Sequence, residues 1–455
     1  MSSDKLSFVQ RSFSVKFSPS DGVFATKYPA LAHLPCIFDS RPGFHRLASR
    51  YLVERGLGVW MPPASRWKDS SEPRLPTAQS MRNYADWLAN FLEWADVRSV
   101  DLATCSYSVH VAGRYQGEML QGTWSRDGKG KRPTTVNLRV QQACDFLTWM
   151  VDRGLRPPFA VPYETVHIKV GSATSSHGHH RKQVQVRVGK VKETTAILTM
   201  PTDEQVKKWL DSVRCADVTA ALMCETILLT AMRREEVVCL RTDLLPELQS
   251  DWVVVNPLAP PAQQQLSVTI RLGTKGQTFG YDEHGDKIGP ERTILIPVSL
   301  AKRWHEYMRT TRNGAFAKRL EGVRGAKARR ERAAGAVHLF LRAEDGERFT
   351  GKQLYDAWTS YEGPFEGWSP HQGRHWWACT TLWRELKKQA GRIRVDNESD
   401  AAFIESTALS IIRLQIAPQL GHASESTTMI YLRWVINMVS TPVSLDDAET
   451  WNRDS

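Results

Sequence analysis

The stretch TAMRREEV at 230–237 places two arginines and two glutamates directly after a run of apolar residues. From Asp217 to Met232 the apolar side chains recur three or four positions apart, which is the spacing of a helix buried along one face. They are Val218, Ala221, Leu222, Leu228, Leu229 and Met232. A buried helix is therefore expected to end in this stretch, and its charged residues are expected to lie at the edge of the core.

The residues that follow predict strands and then more helices. The strand-like segments are WVVVN at 252–256, SVTIRL at 267–272, RTILIP at 292–297 and the short HLFL at 338–341. Gly-Thr-Lys-Gly at 273–276 has the composition of a tight turn. Helical spacing returns at Leu300–Thr310, through the basic run Lys318–Arg332 and over most of 352–440. We expect a mainly α fold with a small antiparallel β-sheet, of the α+β class.

Three further patterns carry chemically active side chains. Lys275 lies in the predicted turn, and HQGRH at 371–375 follows Pro370, where a helix should begin. LGHAS at 420–424 is followed by TTMIY at 427–431. With Arg233, these patterns supply guanidinium groups, an ammonium, imidazoles and a phenol. No carboxylate cluster suited to Mg²⁺ accompanies them, so we expect neither a metal nor a cofactor.

This set resembles the tyrosine recombinases, the family of phage-type integrases and of recombinases that resolve chromosome dimers. The family carries an Arg three residues before a Glu, a hairpin Lys, His-x-x-Arg-His, Leu-Gly-His, and a Tyr nine residues after that last His. Tyr431 stands nine residues after His422. The resemblance covers about 200–435, and four motifs in the right order make it specific.

Two features depart from the family pattern. Thr-Ala-Met-Arg at 230–233 replaces the more common Thr-Gly-Leu-Arg. The 48 positions from Arg374 to His422 exceed the usual gap, and the excess lies in the polar stretch Lys387–Ala402. We expect this stretch to be a surface insertion that leaves the active residues able to meet.

The resemblance implies how a phosphodiester would be held. Arg233 and Arg374 would each offer a planar fork of donors to the non-bridging oxygens, and His422 would add a third donor. Such donors stabilise the charge that develops in the transition state. Glu236 would orient Arg233.

The resemblance also assigns the covalent step. Tyr431 would be the nucleophile, and His371 would accept its proton. Lys275 would protonate the leaving 5′-oxygen, and the product would be a 3′-phosphotyrosyl enzyme. His375 would pack or hold the backbone.

Each residue also has an ordinary structural explanation. Arg233 and Arg234 could complement the dipole at the end of a helix, and a lysine in a turn, such as Lys275, is usually only solvated. Tyr431 taken alone is one of 11 tyrosines. Its spacing from His422 is what favours a catalytic role.

The rest of the chain predicts further domains. Residues 1–75 are rich in Pro, Ser and Gly, and helical spacing begins at Ala78 and again after Pro133. The resemblance implies a helical core-DNA-binding domain that forms a clamp on DNA with the catalytic domain. The expected limits are an N-terminal arm or extension at 1–75, the helical domain at 76–170, a basic linker at 171–198, the catalytic domain at 199–440 and a C-terminal tail at 441–455.

The charge balance favours a polyanionic partner. The net charge is +11 and the isoelectric point is near 9.3. Basic residues gather in the loop Gly122–Arg132, in the predicted linker and in Lys318–Arg332. The expected DNA contacts are Lys129, Lys131, Arg132, Arg181, Lys182, Lys327, Arg329 and Arg330. The alternative for each segment is a solvated surface.

Cysteine usage and hydropathy predict the compartment. The 7 cysteines form an odd set without a Cys-x-x-Cys pair, which is typical of a reducing compartment. We find neither a signal peptide nor an apolar stretch long enough to span a membrane. We expect a soluble cytoplasmic protein, bacterial and nucleoid-associated by its resemblance.

The function implied is that of a site-specific DNA recombinase, the integrase of a mobile element. Its partners would be double-stranded DNA with specific recombination sites, three further copies in a homotetramer, and partner recombinases or accessory proteins. One alternative is a type IB topoisomerase, which relaxes DNA as a monomer by nearly the same chemistry. Another is an accessory factor that binds DNA without catalysis.

Overall fold

The computed structural model describes residues 13–17, 22–28, 30–39, 43–63, 75–169, 181–193, 198–390, 398–422 and 428–439. The chain divides into two compact units, Met1–Thr195 and Ala196–Ser455. Helices dominate both units, and the sheets among the described residues are two-stranded antiparallel pairs. The predicted fold class, mainly α with small antiparallel sheets, is confirmed.

The residues described in the first unit form helices and two small strand pairs. Its helices are α1 (Gly22–Lys27), α2 (Arg46–Gly56), α3 (Ala78–Val97), α4 (Gln116–Gln121) and α5 (Pro133–Asp152), with a π-helical segment at Tyr107–Tyr115. Its strands are β1 (Ser14–Phe17), β2 (Pro35–Phe38), β3 (Tyr163–Lys169) and β4 (Arg181–Arg187). β1 pairs with β2, and β3 pairs with β4.

Helices α3 and α5 contribute much of the core of this unit. The hydroxyl of Thr77 caps α3 by accepting from the backbone N–H of Ser80 at 3.2 Å. Pro133 is the first residue of α5, where its missing N–H costs nothing. The apolar faces of both helices, including Leu88 and Val140, are fully buried. The two helices predicted from periodicity are therefore confirmed.

Within 1–75, the predicted N-terminal arm or extension, the described residues form helices and strands. Ile37 on β2 and both Tyr51 and Leu52 on α2 are fully buried in the same core as α3. These elements run for only 4 to 11 residues. Periodicity over such short segments is too weak to read, because their stability comes from packing against the larger helices.

The predicted linker at 171–198 contains strand β4 and is hydrogen-bonded to the helical core of the first unit. Arg187 is only 4% exposed, and its Nη2 donates to Oε1 of Gln116 at 3.3 Å. The side-chain amide of Asn137 donates to the carbonyl of Val191 at 2.9 Å. Polar contacts rather than an apolar stripe hold this segment, which is why its sequence suggested a solvated linker. The His-rich part at 170–180 lies outside the described residues.

In the described part of the second unit, one strand pair lies among many helices. Its helices are α6 (Asp203–Ala216), α7 (Val218–Thr230), α8 (Arg234–Val238), α9 (Val298–Arg309), α10 (Thr311–Arg319), α11 (Ala326–Ala334), α12 (Gly351–Thr359), α13 (Pro370–Ala390), α14 (Glu398–Ile411), α15 (Ala417–Leu420) and α16 (Met429–Val439), with a π-helical segment at Ile412–Ile416. Its strands are β5 (Gln265–Leu272) and β6 (Ile288–Pro297).

The β5–β6 pair covers part of the main core of this unit. Buried and exposed residues alternate along β5, as expected for a sheet with one face in the core. Val268 faces Ile294 across the pair, and both are buried together with α7. A second cluster joins α13, α14 and α16, and it includes Ala378, Ile411 and Tyr431. This second cluster positions the phenol discussed below.

Two predicted strands are absent. WVVVN at 252–256 forms an isolated bridge to the sheet between Val254 and Leu266, and Val253 is 81% exposed. HLFL at 338–341 forms isolated bridges at His338 and Leu341. Both segments have strand-forming composition, but neither has a neighbour along its full length, so no ladder forms.

Two segments that the sequence predicted to be surface features differ in part from that prediction. The basic run Lys318–Arg332 is interrupted between α10 and α11, where Gly322 and Gly325 have positive φ. The proposed insertion Lys387–Ala402 holds the end of α13 and the start of α14, while 391–397 lie outside the described residues. Ala408, later on α14, is fully buried, so this helix contributes to the core.

In the ranges that the structure describes, we find no helix both long enough and apolar enough to cross a membrane.

Candidate active site

Arg233 lies at the junction of α7 and α8. The chain turns there because Ala231 adopts a left-handed conformation with φ of 54°. Glycine suits such a backbone better than alanine does, so the Thr-Ala-Met-Arg departure carries a local strain. The backbone N–H of Arg233 donates to Oε2 of Glu236 at 2.6 Å, which caps α8.

Glu236 binds the side chain of Arg233. Nη1 of Arg233 lies 3.0 Å from Oε1 of Glu236, whose carboxylate is completely buried. A second arginine, Arg292 on β6, binds both oxygens of the same carboxylate at 3.2 and 2.6 Å. Burial would raise the pKa of Glu236, but the hydrogen bonds and charge of Arg292, with those of Arg233, hold this pKa below its ordinary value.

Arg374 on α13 meets Arg233 at a single carbonyl. Its Nη2 donates to the carbonyl oxygen of Leu420 at 2.9 Å, and Nη2 of Arg233 donates to the same oxygen at 3.0 Å. Nη1 of Arg374 donates to the carbonyl of Ala231. Burial, reinforced by the charge of Arg233, lowers the pKa of Arg374. Two guanidinium groups are thus held close together despite their repulsion.

Gly421 permits this close approach. Its φ is 60°, a conformation that favours glycine. A Cβ at this position would lie 3.0 Å from Cδ of Arg292 and 3.4 Å from Nη1 of Arg233. The Leu-Gly-His motif therefore needs its glycine both for the turn and for the space that the arginines occupy.

The phenol of Tyr431 contacts His375 rather than His371. Its hydroxyl oxygen lies 3.0 Å from Nδ1 of His375. His371 packs edge-on against His375, with ring centroids 4.4 Å apart. The sequence assigned proton acceptance to His371 and packing to His375, and the structure reverses these placements. The two residues are one helical turn apart on α13, so sequence alone could not tell which ring faces α16.

His422 also lies close to Tyr431. Its imidazole lies nearly parallel to the phenol, at 9° with centroids 6.4 Å apart. Nδ1 of His422 is 3.4 Å from the hydroxyl oxygen of Thr428. The predicted nine-residue spacing therefore brings the two rings together, although 423–427 lie outside the described residues.

The electrostatics of the site favour neutral imidazoles and a neutral phenol. Burial, followed by the nearby positive charges, lowers the pKa values of His375 and His422 to about 4. The same causes lower the pKa of His371. Burial raises the pKa of Tyr431 despite the charge of Arg374, and the side chain is almost fully enclosed.

Lys275 lies in an exposed loop beside this cluster. Its positive charge is the last of the causes that lower the pKa values of His371 and His422, after burial and the charges of the two arginines. The loop from Gly273 to Lys287 joins β5 to β6, so the predicted tight turn is instead a long connection. Nζ of Lys287 donates to the carbonyls of Thr274 and Gly276, at 3.1 and 2.9 Å. Lys287 thus fixes the backbone on both sides of Lys275.

The predicted DNA contacts of the first unit lie in and after the loop Gly122–Arg132. Lys129 and Arg132 are exposed. Lys131 is partly covered and pairs with Asp127 at 3.2 Å. Arg181 and Lys182 begin β4, and their side chains lie outside the described part of the structure.

The predicted DNA contacts of the second unit lie on α11, which has no buried residue. Glu347 pairs with Arg319 and Arg332. Lys327, Arg329 and Arg330 form no ion pair with any described residue. Their charges are therefore available at the surface.

The donor chemistry of the site suits an anion better than a cation. Within the described ranges, no three His, Cys, Asp or Glu side chains are grouped so that they could hold a metal ion. His177, His179 and His180 lie outside those ranges. The side chains around Tyr431 are guanidinium, imidazole and ammonium groups, which are donors for oxyanions.

Sequence reasoning missed three residues of this site: Arg292, Gln419 and Lys287. Arg292 is the first residue of the strand-like segment RTILIP at 292–297, whose apolar residues predict a strand and not a site. Gln419 is buried and donates to the carbonyls of Thr230 and Leu295, at 2.8 and 2.9 Å. Its position directly before the Leu-Gly-His motif was the one available signal.

Comparison with known proteins adds structural relatives. No protein-family model and no curated protein matches the chain. Among solved structures, the chain is similar to the XerH site-specific recombinase bound to palindromic difH substrate, with 15% identity, 78% of this chain and 76% of that chain covered, and a TM-score of 0.42. It is similar to the Tn1549 transposon integrase in complex with transposon right end DNA, with 13% identity, coverage of 81% and 91%, and a TM-score of 0.42.

A third similar structure is the XerA recombinase, with 12% identity, coverage of 81% and 94%, and a TM-score of 0.30. These structures are recombinases and integrases.

Proposed function

We propose that this protein is a site-specific DNA recombinase of the tyrosine type. One observation carries the proposal: Arg233 and Arg374 converge on one carbonyl oxygen beside a phenol that is hydrogen-bonded to an imidazole. A pair of guanidinium forks can hold the two non-bridging oxygens of a phosphodiester. The Leu420 carbonyl marks where their donors already point.

The strand-cleavage step follows from these groups. The phenol oxygen of Tyr431 attacks phosphorus, its proton passes to His375, and a phosphotyrosyl bond forms. The bond between phosphorus and the 5′-oxygen breaks, and Lys275 supplies the proton that this oxygen takes up. Arg233, Arg374 and His422 stabilise the charge on the non-bridging oxygens. Side chains provide each proton and each charge, so the step as proposed needs neither metal nor nucleotide.

Tyr431 must become accessible before it can react. It is only 1% exposed, so binding of DNA has to shift α16 or the residues that cover the phenol. This burial is also the observation that favours an alternative, an accessory factor that binds DNA without cleaving it. Formation of a covalent adduct therefore decides between the two.

The proposed partner is double-stranded DNA that carries specific recombination sites, held by a homotetramer with or without partner recombinases or accessory proteins. The integrase of a mobile element is the proposed biological setting. The exposed charges of Lys327, Arg329 and Arg330 on α11, and of Lys129 and Arg132 in the first unit, support contact with the phosphate backbone. Such contacts position a protein on DNA but do not select its sequence.

The test begins with random-sequence duplexes, because the DNA target has to be found first. DNA that stays attached to the protein in SDS is sequenced, and a nicked suicide substrate is built from the recovered site. Wild type should form an adduct that maps to Tyr431, and Tyr431→Phe should form none while still binding DNA. Tyr307→Phe is the matched control, because Tyr307 is also buried and hydrogen-bonded.

Absence of an adduct with wild type would overturn the enzymatic proposal in favour of the accessory factor. A second assay separates recombination from type IB topoisomerase activity. Joined products from two DNA molecules that carry the site support a recombinase, whereas relaxation of supercoiled DNA without joined products supports a topoisomerase.

A further inference from the structure

Arg292 occupies a place in the site that no sequence motif marks. It lies on β6 with its side chain only 12% exposed. Its guanidinium binds both carboxylate oxygens of Glu236, and its Nη1 donates to the carbonyl of Gln419. It therefore contacts both the residue that orients Arg233 and the segment that carries the Leu-Gly-His motif.

The charge balance around Glu236 gives Arg292 a specific effect. One buried carboxylate lies between two guanidinium groups, those of Arg233 and Arg292. A single negative charge cannot neutralise both. Arg292 makes two hydrogen bonds to the carboxylate, whereas the side chain of Arg233 makes one. The Glu236–Arg292 pair is thus close to neutral as a unit, and the charge of Arg233 remains available.

We propose that Arg292 is a positioning residue that keeps Arg233 competent to bind a phosphate by neutralising Glu236. This inference rests on the proposed function for its catalytic consequence. Its consequence for anion binding can be tested separately. Without the positive charge of Arg292, Glu236 would pair with Arg233 alone and would compete with the phosphate for that guanidinium.

A purely structural role for Arg292 makes a different prediction. In that case its hydrogen bonds hold β6 to Gln419, and its charge is incidental. Arg292→Gln retains an N–H donor and removes the charge, whereas Arg292→Lys retains the charge with a different shape. The two variants therefore separate charge from geometry while both keep a polar group near Glu236.

The decisive variant is a double substitution. If Arg292 acts by neutralising Glu236, removing the Glu236 carboxylate should reverse the effect that loss of Arg292 has on phosphate binding. Arg292→Gln should weaken binding of inorganic phosphate by about tenfold, and Arg292→Gln with Glu236→Gln should restore most of it. Arg292→Lys should stay close to wild type. A structural role predicts instead that the double variant binds no better than Arg292→Gln.

Binding of inorganic phosphate is measured by calorimetry on the full chain at low ionic strength. Only the phosphate binding that is lost in the Arg374→Lys variant is assigned to this site. Arg303→Met is the matched control, because Arg303 also forms an ion pair with a partly buried glutamate, Glu225 on α7, outside the site. This control should leave phosphate binding unchanged.

The same variants are then tested for adduct formation on the suicide substrate, where the order of rates should match the order of phosphate affinities. If the phosphate affinities of wild type and variants follow the expected order but wild type forms no adduct, the proposed function is wrong and the role of Arg292 is retained. Wild type that shows no phosphate binding sensitive to Arg374→Lys, or a double variant without restoration, would overturn the role of Arg292.

Discussion

Nδ1 of His375 lies 3.0 Å from the hydroxyl oxygen of Tyr431. His371 packs against the ring of His375. The lowered pKa of His375 keeps its imidazole neutral at neutral pH, and the raised pKa of Tyr431 keeps its proton on the phenol. A neutral imidazole can accept this proton, so the geometry favours His375 as the acceptor.

His375→Ala should slow adduct formation more than His371→Ala does. The first variant removes the group that contacts the phenol, and general-base catalysis contributes about a hundredfold or more. The second variant removes only a packing neighbour and should cost less. Single-turnover cleavage of the suicide substrate gives both rates. A greater loss in His371→Ala would return the acceptor role to His371, as the family resemblance implies.

Stability should fall as the pH decreases from about 6.5 toward 4. The folded pKa values of His375 and His422 are lowered to about 4, whereas the ordinary histidine value is 6.5. The unfolded chain therefore binds protons first as the solution is acidified, which favours unfolding. Urea unfolding between pH 7 and 4 checks this. His375→Gln should make the pH dependence shallower, and an unchanged slope in that variant would contradict the assignment.

Lys275→Ala should be slow on ordinary DNA and largely rescued on DNA with a 5′-bridging phosphorothiolate. A sulfur leaving group needs no proton, so loss of the acid matters less there. Arg233→Ala should stay slow on both substrates, because the non-bridging oxygens are the same. Equal impairment of Lys275→Ala on the two substrates would show that Lys275 only lies near the site.

Neutralising α11 should weaken DNA binding and reduce its salt dependence. With Lys327, Arg329 and Arg330 all replaced by Gln, the slope of log affinity against log salt should fall by about 0.9 for each phosphate that the protein no longer neutralises. Fluorescence anisotropy at several salt concentrations measures this slope. Lys207 and Lys208, exposed on α6, give a control variant that removes two charges, so the two variants are compared per charge removed. Equal effects of the two variants would indicate nonspecific attraction instead of contact by α11.

Gly421→Ala should destabilise the second unit by more than Gly322→Ala. Both glycines have positive φ, so each substitution costs about 1 kcal/mol in backbone strain. A Cβ at 421 would also meet Arg292 and Arg233, whereas one at 322 has no atom within 4 Å. Urea unfolding measures both free energies. Equal losses would mean that the arginines move aside without cost.

The sequence predicted most of the groups in the site and much of their local geometry, but not Arg292, Gln419 or Lys287. The spacing of HQGRH at 371–375 puts His371, Arg374 and His375 on neighbouring turns of one helix, because residues three and four apart share a face. The stretch TAMRREEV likewise predicted a helix end near Arg233, and the family resemblance implied the pairing of Arg233 with Glu236. These relations are local, so the helical repeat alone specifies them.

Tertiary structure alone decided what lies between elements distant in the chain. The packing of α13 against α16 selects His375, not His371, as the contact of Tyr431. The approach of β6 to α8 brings Arg292 to Glu236, although 56 positions separate them. Such contacts depend on how whole apolar faces fit together in a close-packed core, and no spacing along the chain encodes that fit.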